Sequence, residues 1–331
     1  MTTRFYPKTL EERNYIMPHK QSYEAVIKQE SSLRYWEIMK STARYVLSRT
    51  IIRRWRTDRI VLPDSSRILY VDPTENRGRI LYMTGGMTQP RLNLFWKTAV
   101  ASFRPTLIVD VGVNYGECLF SVTYPKNSKV IGIEANPNLQ PYIERSKKIH
   151  PNRKKINTVY AMASNEDSEK QSFFINKYWS GLSTAALGNP NGSKHYQQHD
   201  IPSITLDSLL SQYPLEKEKL LFKIDVEGHE EKVIQGMLQS IKNCPYMLGF
   251  IEFDSKYLAK SDTDAHVFLT YLQEHFNLYV YLNNQELYHF KQISLEKLQM
   301  LFKKKHIHTD IILASPGVKI PEIYSQIIRL D

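Results

Sequence analysis

Lys223-Ile224-Asp225-Val226-Glu227-Gly228-His229-Glu230 decides the fold. The apolar Leu220-Leu221-Phe222 precedes it, and Val233, Ile234, Met237, Leu238 and Ile241 follow at helical spacing. A buried strand therefore ends in a carboxylate, turns at a glycine and enters a helix. In open α/β sheets, ligands bind outside the carboxyl ends of such strands. A second corner of this kind lies upstream, at Asp110-Val111-Gly112-Val113-Asn114-Tyr115-Gly116-Glu117.

Apolar runs and amphipathic runs alternate around the two corners. The pattern predicts strands over residues 107–111, 129–133, 156–161, 171–175, 220–226, 247–253 and 309–314. Helices are predicted over 138–149, 230–241, 262–275 and 294–302, and a hairpin over 278–290 about Asn283-Asn284. This alternation implies a mostly parallel sheet with helices on both faces and an antiparallel edge strand. Before it, 22–57 and 92–103 read as helical, and 67–71 and 79–83 as short strands. Pro63-Asp64 divides a helical N-terminal appendage, residues 1–65, from a Rossmann-like domain, residues 66–331. Residues 176–202 fit neither period. They read as an insertion loop, either disordered or a lid over an acceptor, with Trp179 and Tyr196 as its binding side chains.

The 331 residues are 42% hydrophobic and 24% charged, the composition of a folded soluble protein. No apolar run is long enough to span a bilayer, and the first residues lack the apolar core of a secretory signal. Cys118 and Cys244 have no partners for a disulfide framework or a zinc site, which suits buried thiols in a cytoplasmic protein. Of the net charge of +10, residues 1–60 hold 13 Lys/Arg against 6 Asp/Glu. A solvated helix face accounts for this most simply; peripheral contact with an anionic surface or nucleic acid is the alternative.

The first corner lacks both Gly-x-Gly-x-x-Gly and Gly-Lys-Ser/Thr. Asp110 and Glu117 would repel a pyrophosphate and suit a cationic or zwitterionic ligand such as S-adenosylmethionine. Glu134, at the end of the next strand, can accept two ribose hydroxyls. Ser164, at the end of the third, lies where an adenine ring would rest. Asp225, Glu227, Glu252 and Asp254 are expected to form an acidic cluster. It would raise one carboxylate to act as a base, or hold Mg²⁺ or Ca²⁺ on Asp225 and Glu252. His229 is placed where a proton acceptor is wanted, and Glu230 reads as helix capping.

Asp110-Val-Gly112-Val-Asn114-Tyr-Gly116, Glu134-Ala-Asn136-Pro, Ile204-Thr-Leu-Asp207 and Lys223-Ile-Asp225-Val-Glu227-Gly228-His-Glu230 together resemble the FkbM family of S-adenosylmethionine-dependent methyltransferases. The likeness runs from about Leu69 to Ala314, with Val113 where the family usually has Ala and Ala135 where Pro is frequent. It implies the seven-stranded class I methyltransferase sheet and O-methylation of a hydroxylated natural product, sugar or polysaccharide. It implies that Asp110, Gly112, Asn114, Gly116, Glu117, Glu134, Asn136, Ser164 and Asp225 bind the cofactor. Asp225, His229 and Glu227 are then the candidate bases for the acceptor hydroxyl. An RNA methyltransferase and a cofactor-binding scaffold without turnover are the competing readings.

Overall fold

The computed structural model describes residues 58–62, 65–185, 194–282, 286–320 and 327–330, the last group by its backbone. The chain from Thr57 onward is one compact unit. The helix expected over 22–57 and most of the 1–65 appendage fall outside the described residues. Strand β1 (Arg59–Val61) pairs with β2 (Ile68–Tyr70), so the unit begins ahead of Pro63.

Residues 79–83, expected as a strand, lie in helix α1 (Asn76–Thr84). Glu75 caps it by accepting from the amides of Arg77 and Gly78. Asn76-Arg77-Gly78 forms the capped first turn, and Gly78 is required because a Cβ there would lie 2.0 Å from the Asp72 carbonyl. Helix α2 (Pro90–Thr98) follows, and its last turn widens through Ala99–Phe103.

Strands β3 (Leu107–Val111), β4 (Lys129–Ile133) and β5 (Ile156–Val159) then alternate with helix α3 (Gln140–Ile149). Next come β6 (Met162–Ala163), β7 (Ser168–Asn176), β8 (Tyr196–Ile204) and α4 (Leu206–Leu210). Residues 176–202 are therefore not one loop. From Tyr196 the segment is β8, paired antiparallel with β7 in a separate three-stranded sheet with β6. Its polar, exposed outer face hid the period-two signal.

The chain continues through β9 (Lys219–Ile224), α5 (Glu230–Gln235), α6 (Leu238–Asn243), β10 (Tyr246–Asp254), α7 (Ser255–Lys260) and α8 (Ala265–His275). The helix expected over 230–241 breaks at Gly236, where a Cβ would lie 1.9 Å from the Ser164 carbonyl. Asp207 caps the second piece, accepting from the amides of Gln239 and Ser240 at 2.9 and 2.7 Å. Strands β11 (Asn277–Tyr281) and β12 (Leu287–Phe290), helix α9 (Leu295–Phe302), β13 (His308–Ala314) and β14 (Ile327–Leu330) complete it.

The main sheet has the order β14-β12-β11-β13-β10-β9-β3-β4-β5. The stretch from β5 to β11 is the class I methyltransferase sheet, with β13 inserted antiparallel between β10 and β11. The expected hairpin adds β12, and β14 pairs beyond it. Ile108, Leu221, Leu248, Phe250 and Ile312 fill one face, and Val109, Phe222, Met247, Ile251 and Ile311 the other. Both faces are dry, which is why these strands read as continuous apolar runs. Among the described residues, no helix is long and apolar enough to cross a membrane.

Candidate active site

The first corner turns where β3 leaves the sheet. Gly112 has φ +77°, and a Cβ on it would lie 2.0 Å from the Asp225 carbonyl, so the two corners touch backbone to backbone. Asn114, at φ +52°, takes the left-handed conformation that Asn tolerates best after glycine. Its amide donates to Glu134 Oε2 at 2.6 Å, and the Asn136 amide donates to Glu134 Oε1 at 2.8 Å. Burial raises the Glu134 pKa. Asn136 spends its side-chain oxygen on the Asn138 amide, 3.1 Å away.

Asp110 is fully buried beneath this turn. Its partner is Lys223, whose Nζ lies 3.2 Å from Asp110 Oδ1 and donates to the Gly112 carbonyl at 2.6 Å. Burial works against the lysine's charge, but Asp110 and Asp225 hold its pKa above the usual lysine value. Glu117 is occupied as well. It accepts from the amides of Thr88 and Gln89 at 2.6 and 3.2 Å, from Asn93 Nδ2 at 3.0 Å and from Arg77 Nη2 at 3.3 Å. It anchors the entry to α2 beside the corner, and its charge is already matched by Arg77.

The second corner follows β9. Asp225 Oδ2 accepts from Gln89 Nε2 at 3.1 Å and lies 3.7 Å from Lys223 Nζ. Burial opposes its charge, yet Lys223 and Gln89 hold its pKa below the ordinary value. Glu227 and Gly228, at φ +54° and +98°, make the turn. Burial, then the charges of Asp225 and Glu230, push Glu227 up to about 9. Glu230, in the first turn of α5, accepts from the amides of Val226 and Gly228 at 3.0 and 3.2 Å and so braces the turn ahead of the helix. The His229 ring meets Ser164 Oγ at 3.1 Å, and burial lowers its pKa to about 4.

Strand β10 brings Glu252 beside this corner. One carboxylate oxygen each from Asp225, Glu227 and Glu252 lie within 4.8 Å of one another. Burial, then Asp225 and Glu227, raise the Glu252 pKa. Asp254 lines the same cavity but is not among these three converging oxygens. It caps α7 and pairs with His306 Nε2 and His308 Nδ1, both at 2.8 Å. His308 Nε2 then lies 3.6 Å from Glu252 Oε1.

A cavity of about 480 Å³ joins the two corners, a size suited to a small molecule. Gly112, Asn114, Glu117, Glu134 and Trp179 line it on the side of the first corner and the β7–β8 connection. Asp225, Glu227, His229 and Glu252 line it on the other. Asp110, Gly116, Asn136, Ser164 and Tyr196 are not among its lining residues. Sequence reading missed Gln89, which holds Asp225, and His308, whose one signal was the His-x-His at 306–308.

Sheet order, paired corners and cavity define a class I methyltransferase. The family described as the methyltransferase FkbM domain matches residues 110–281, just over half of the chain, and the protein belongs to that family. No curated protein matches the chain. Among solved structures, it is similar to a methyltransferase FkbM from Methylobacillus flagellatus KT (13% identity, 71% of this chain and 52% of that one, TM-score 0.38). It is similar to an O-methyltransferase from Bacillus cereus in complex with SAH (7% identity, 84% and 100%, TM-score 0.41). A third is the O-methyltransferase TomG from Streptomyces achromogenes, in complex with SAM (10% identity, 75% and 92%, TM-score 0.37).

Proposed function

We propose that the protein transfers the methyl group of S-adenosylmethionine to a hydroxyl of a sugar, polysaccharide or natural-product acceptor. The observation that carries this reading is the Glu134 carboxylate, buried at the end of β4 and lining the cavity with each oxygen taking one backbone amide. A carboxylate oxygen has lone pairs for more than one donor, so both can still receive ribose hydroxyls. The site fits the cofactor in two further respects. Gly112 brings no Cβ to the turn, and the cavity's carboxylates favour a cationic ligand, while Lys223 and Arg77 are each matched by an acid.

The cofactor supplies an activated methyl group; the protein supplies position and a place for the hydroxyl proton. Asp225, ionised and held by Gln89 and Lys223, orients the hydroxyl and is the first candidate to accept its proton. Glu227 stays protonated near neutrality and serves as a hydrogen-bond donor rather than a base. His308, oriented through Nδ1 by Asp254, lines the same cavity and is a second candidate acceptor. His229 is engaged with Ser164 and is a weaker one. Trp179 is proposed as an acceptor contact.

Calorimetry with adenosylhomocysteine tests the reading. Binding is expected, and Glu134→Ala should weaken it at least about tenfold, the loss of a charged hydrogen-bond partner. Binding of NAD in place of adenosylhomocysteine would overturn it. Labelled cofactor with a panel of hydroxylated acceptors then identifies the substrate class.

A further inference from the structure

Glu75 makes twice the contacts that helix capping requires. Its Oε1 accepts from the Arg77 amide at 3.0 Å and from the Ser180 amide at 2.7 Å. Its Oε2 accepts from the Gly78 amide at 2.9 Å and from the Tyr115 hydroxyl at 3.1 Å. The Arg77 and Gly78 bonds cap α1. The others come from remote segments: Ser180 from the β7–β8 connection and Tyr115 from the glycine corner.

Three neighbouring contacts hold the same connection. The Asn76 amide donates to the Tyr178 carbonyl at 3.1 Å. Asn114 Nδ2 donates to Ser180 Oγ at 3.4 Å. Thr184 Oγ1 donates to the Glu227 carbonyl at 2.8 Å. Trp179, Ser180 and Ser183 line the cavity, so whatever fixes this connection fixes one wall of the site.

We infer that Glu75 is a positioning residue: its carboxylate clasps the Trp179–Ser183 wall to the glycine corner and so sets the shape of the cavity on the side proposed for the cofactor. The functional half of this inference rests on the reading given under Proposed function; the structural half does not. Only a carboxylate at this reach satisfies four donors at once. Glutamine offers one acceptor oxygen and turns an amide against two donors. Aspartate is a favoured N-cap and keeps the charge, but is one methylene shorter. Glu75→Asp therefore separates the cap from the clasp.

The test is amide exchange by mass spectrometry on the full chain. In Glu75→Asp, exchange in peptides covering 178–183 should rise at least about tenfold, the size of a lost charge-assisted hydrogen bond. Peptides from β3 and β9 should be unchanged. Tyr115→Phe, which leaves the cap and the Ser180 bond intact, should raise exchange at the same peptides by less. Adenosylhomocysteine should dissociate at least about threefold faster from Glu75→Asp, because its wall is loosened. Unchanged exchange at 178–183 would reduce Glu75 to a cap, and increases across all peptides would reduce it to general stability. Faster exchange with unchanged dissociation would overturn the positioning role. If adenosylhomocysteine binds neither protein, the functional reading falls, and the exchange result still decides the clasp.

Discussion

Asp225 and Glu227 lie two residues apart and carry opposite perturbations. Asp225 faces Lys223 and Gln89 and stays ionised; Glu227 faces Asp225 and Glu230 and stays protonated. Asp225→Asn keeps the shape and removes the charge. It should lower turnover at least about a hundredfold if the carboxylate takes the proton, with little change in adenosylhomocysteine affinity. Near-normal turnover would move the role to His308. EDTA gives a separate answer: activity lost on treatment and restored by Mg²⁺ would assign the Asp225–Glu227–Glu252 cluster to a cation.

Glu227 has a consequence for stability. Its folded pKa of about 9 exceeds the ordinary 4.5. The native state therefore holds a proton that the unfolded chain gives up as pH rises. The stability associated with that proton is fully present below the ordinary value and is lost as pH climbs toward about 9. Glu227→Gln removes the ionisation. Its melting temperature should exceed the parent's by a few degrees at about pH 8, with the gap closing at about pH 4. Equal melting curves at both would place the Glu227 carboxyl in water.

At the scale of elements, the two corners form one unit because Gly112 packs on the Asp225 carbonyl. Gly112→Ala adds a Cβ 2.0 Å from that oxygen at φ +77°. It should cost about 3 kcal/mol or more and abolish adenosylhomocysteine binding in whatever fraction folds. Retained affinity would show that the corners can separate without harm.

Both corners were legible in the sequence because a buried strand ending in acid and glycine has few other uses. The parallel strands were legible because both of their faces are dry. Three features were hidden for physical reasons. Helix α1 was masked by Gly78, which is there for close approach to Asp72 rather than for a turn. Strand β8 was masked by its polar exposed face. Gln89 and His308 come from segments far from the corners, and only the tertiary fold brings them to Asp225 and Glu252. Asp110 and Glu117, read as cofactor contacts because they flank the glycines, also carry internal roles the sequence did not signal: Asp110 pairs with Lys223, and Glu117, at the cavity wall, holds the approach to α2.

For the whole molecule, the compact unit begins near Thr57. Ile60 and Leu62 are 5% and 3% exposed, within the same apolar cluster as Leu69 and Trp96. A chain beginning at Thr57 should fold and bind adenosylhomocysteine. One beginning at Arg67 discards β1 and those two side chains, and should melt about 10 °C lower. Equal melting temperatures would mean that β1 adds nothing. We propose that the basic residues ahead of this unit serve contact with an anionic surface rather than chemistry. Salt-sensitive co-sedimentation with anionic vesicles, lost when residues 1–56 are removed, is the expected result.

Strand β13 fills a place in the middle of the sheet although it is encoded near the end of the chain. During synthesis, β10 and β11 emerge first and wait for it. In that interval β10 presents an unpaired edge along Leu248, Phe250 and Ile251, the kind of template on which nascent chains stick to one another. The ribosome must deliver residues 308–314 before that edge closes. The same event brings His308 alongside Glu252 and Asp254. Closing the β10 edge and bringing His308 to the site are thus one step in the life of the chain, because residues 308–314 supply both.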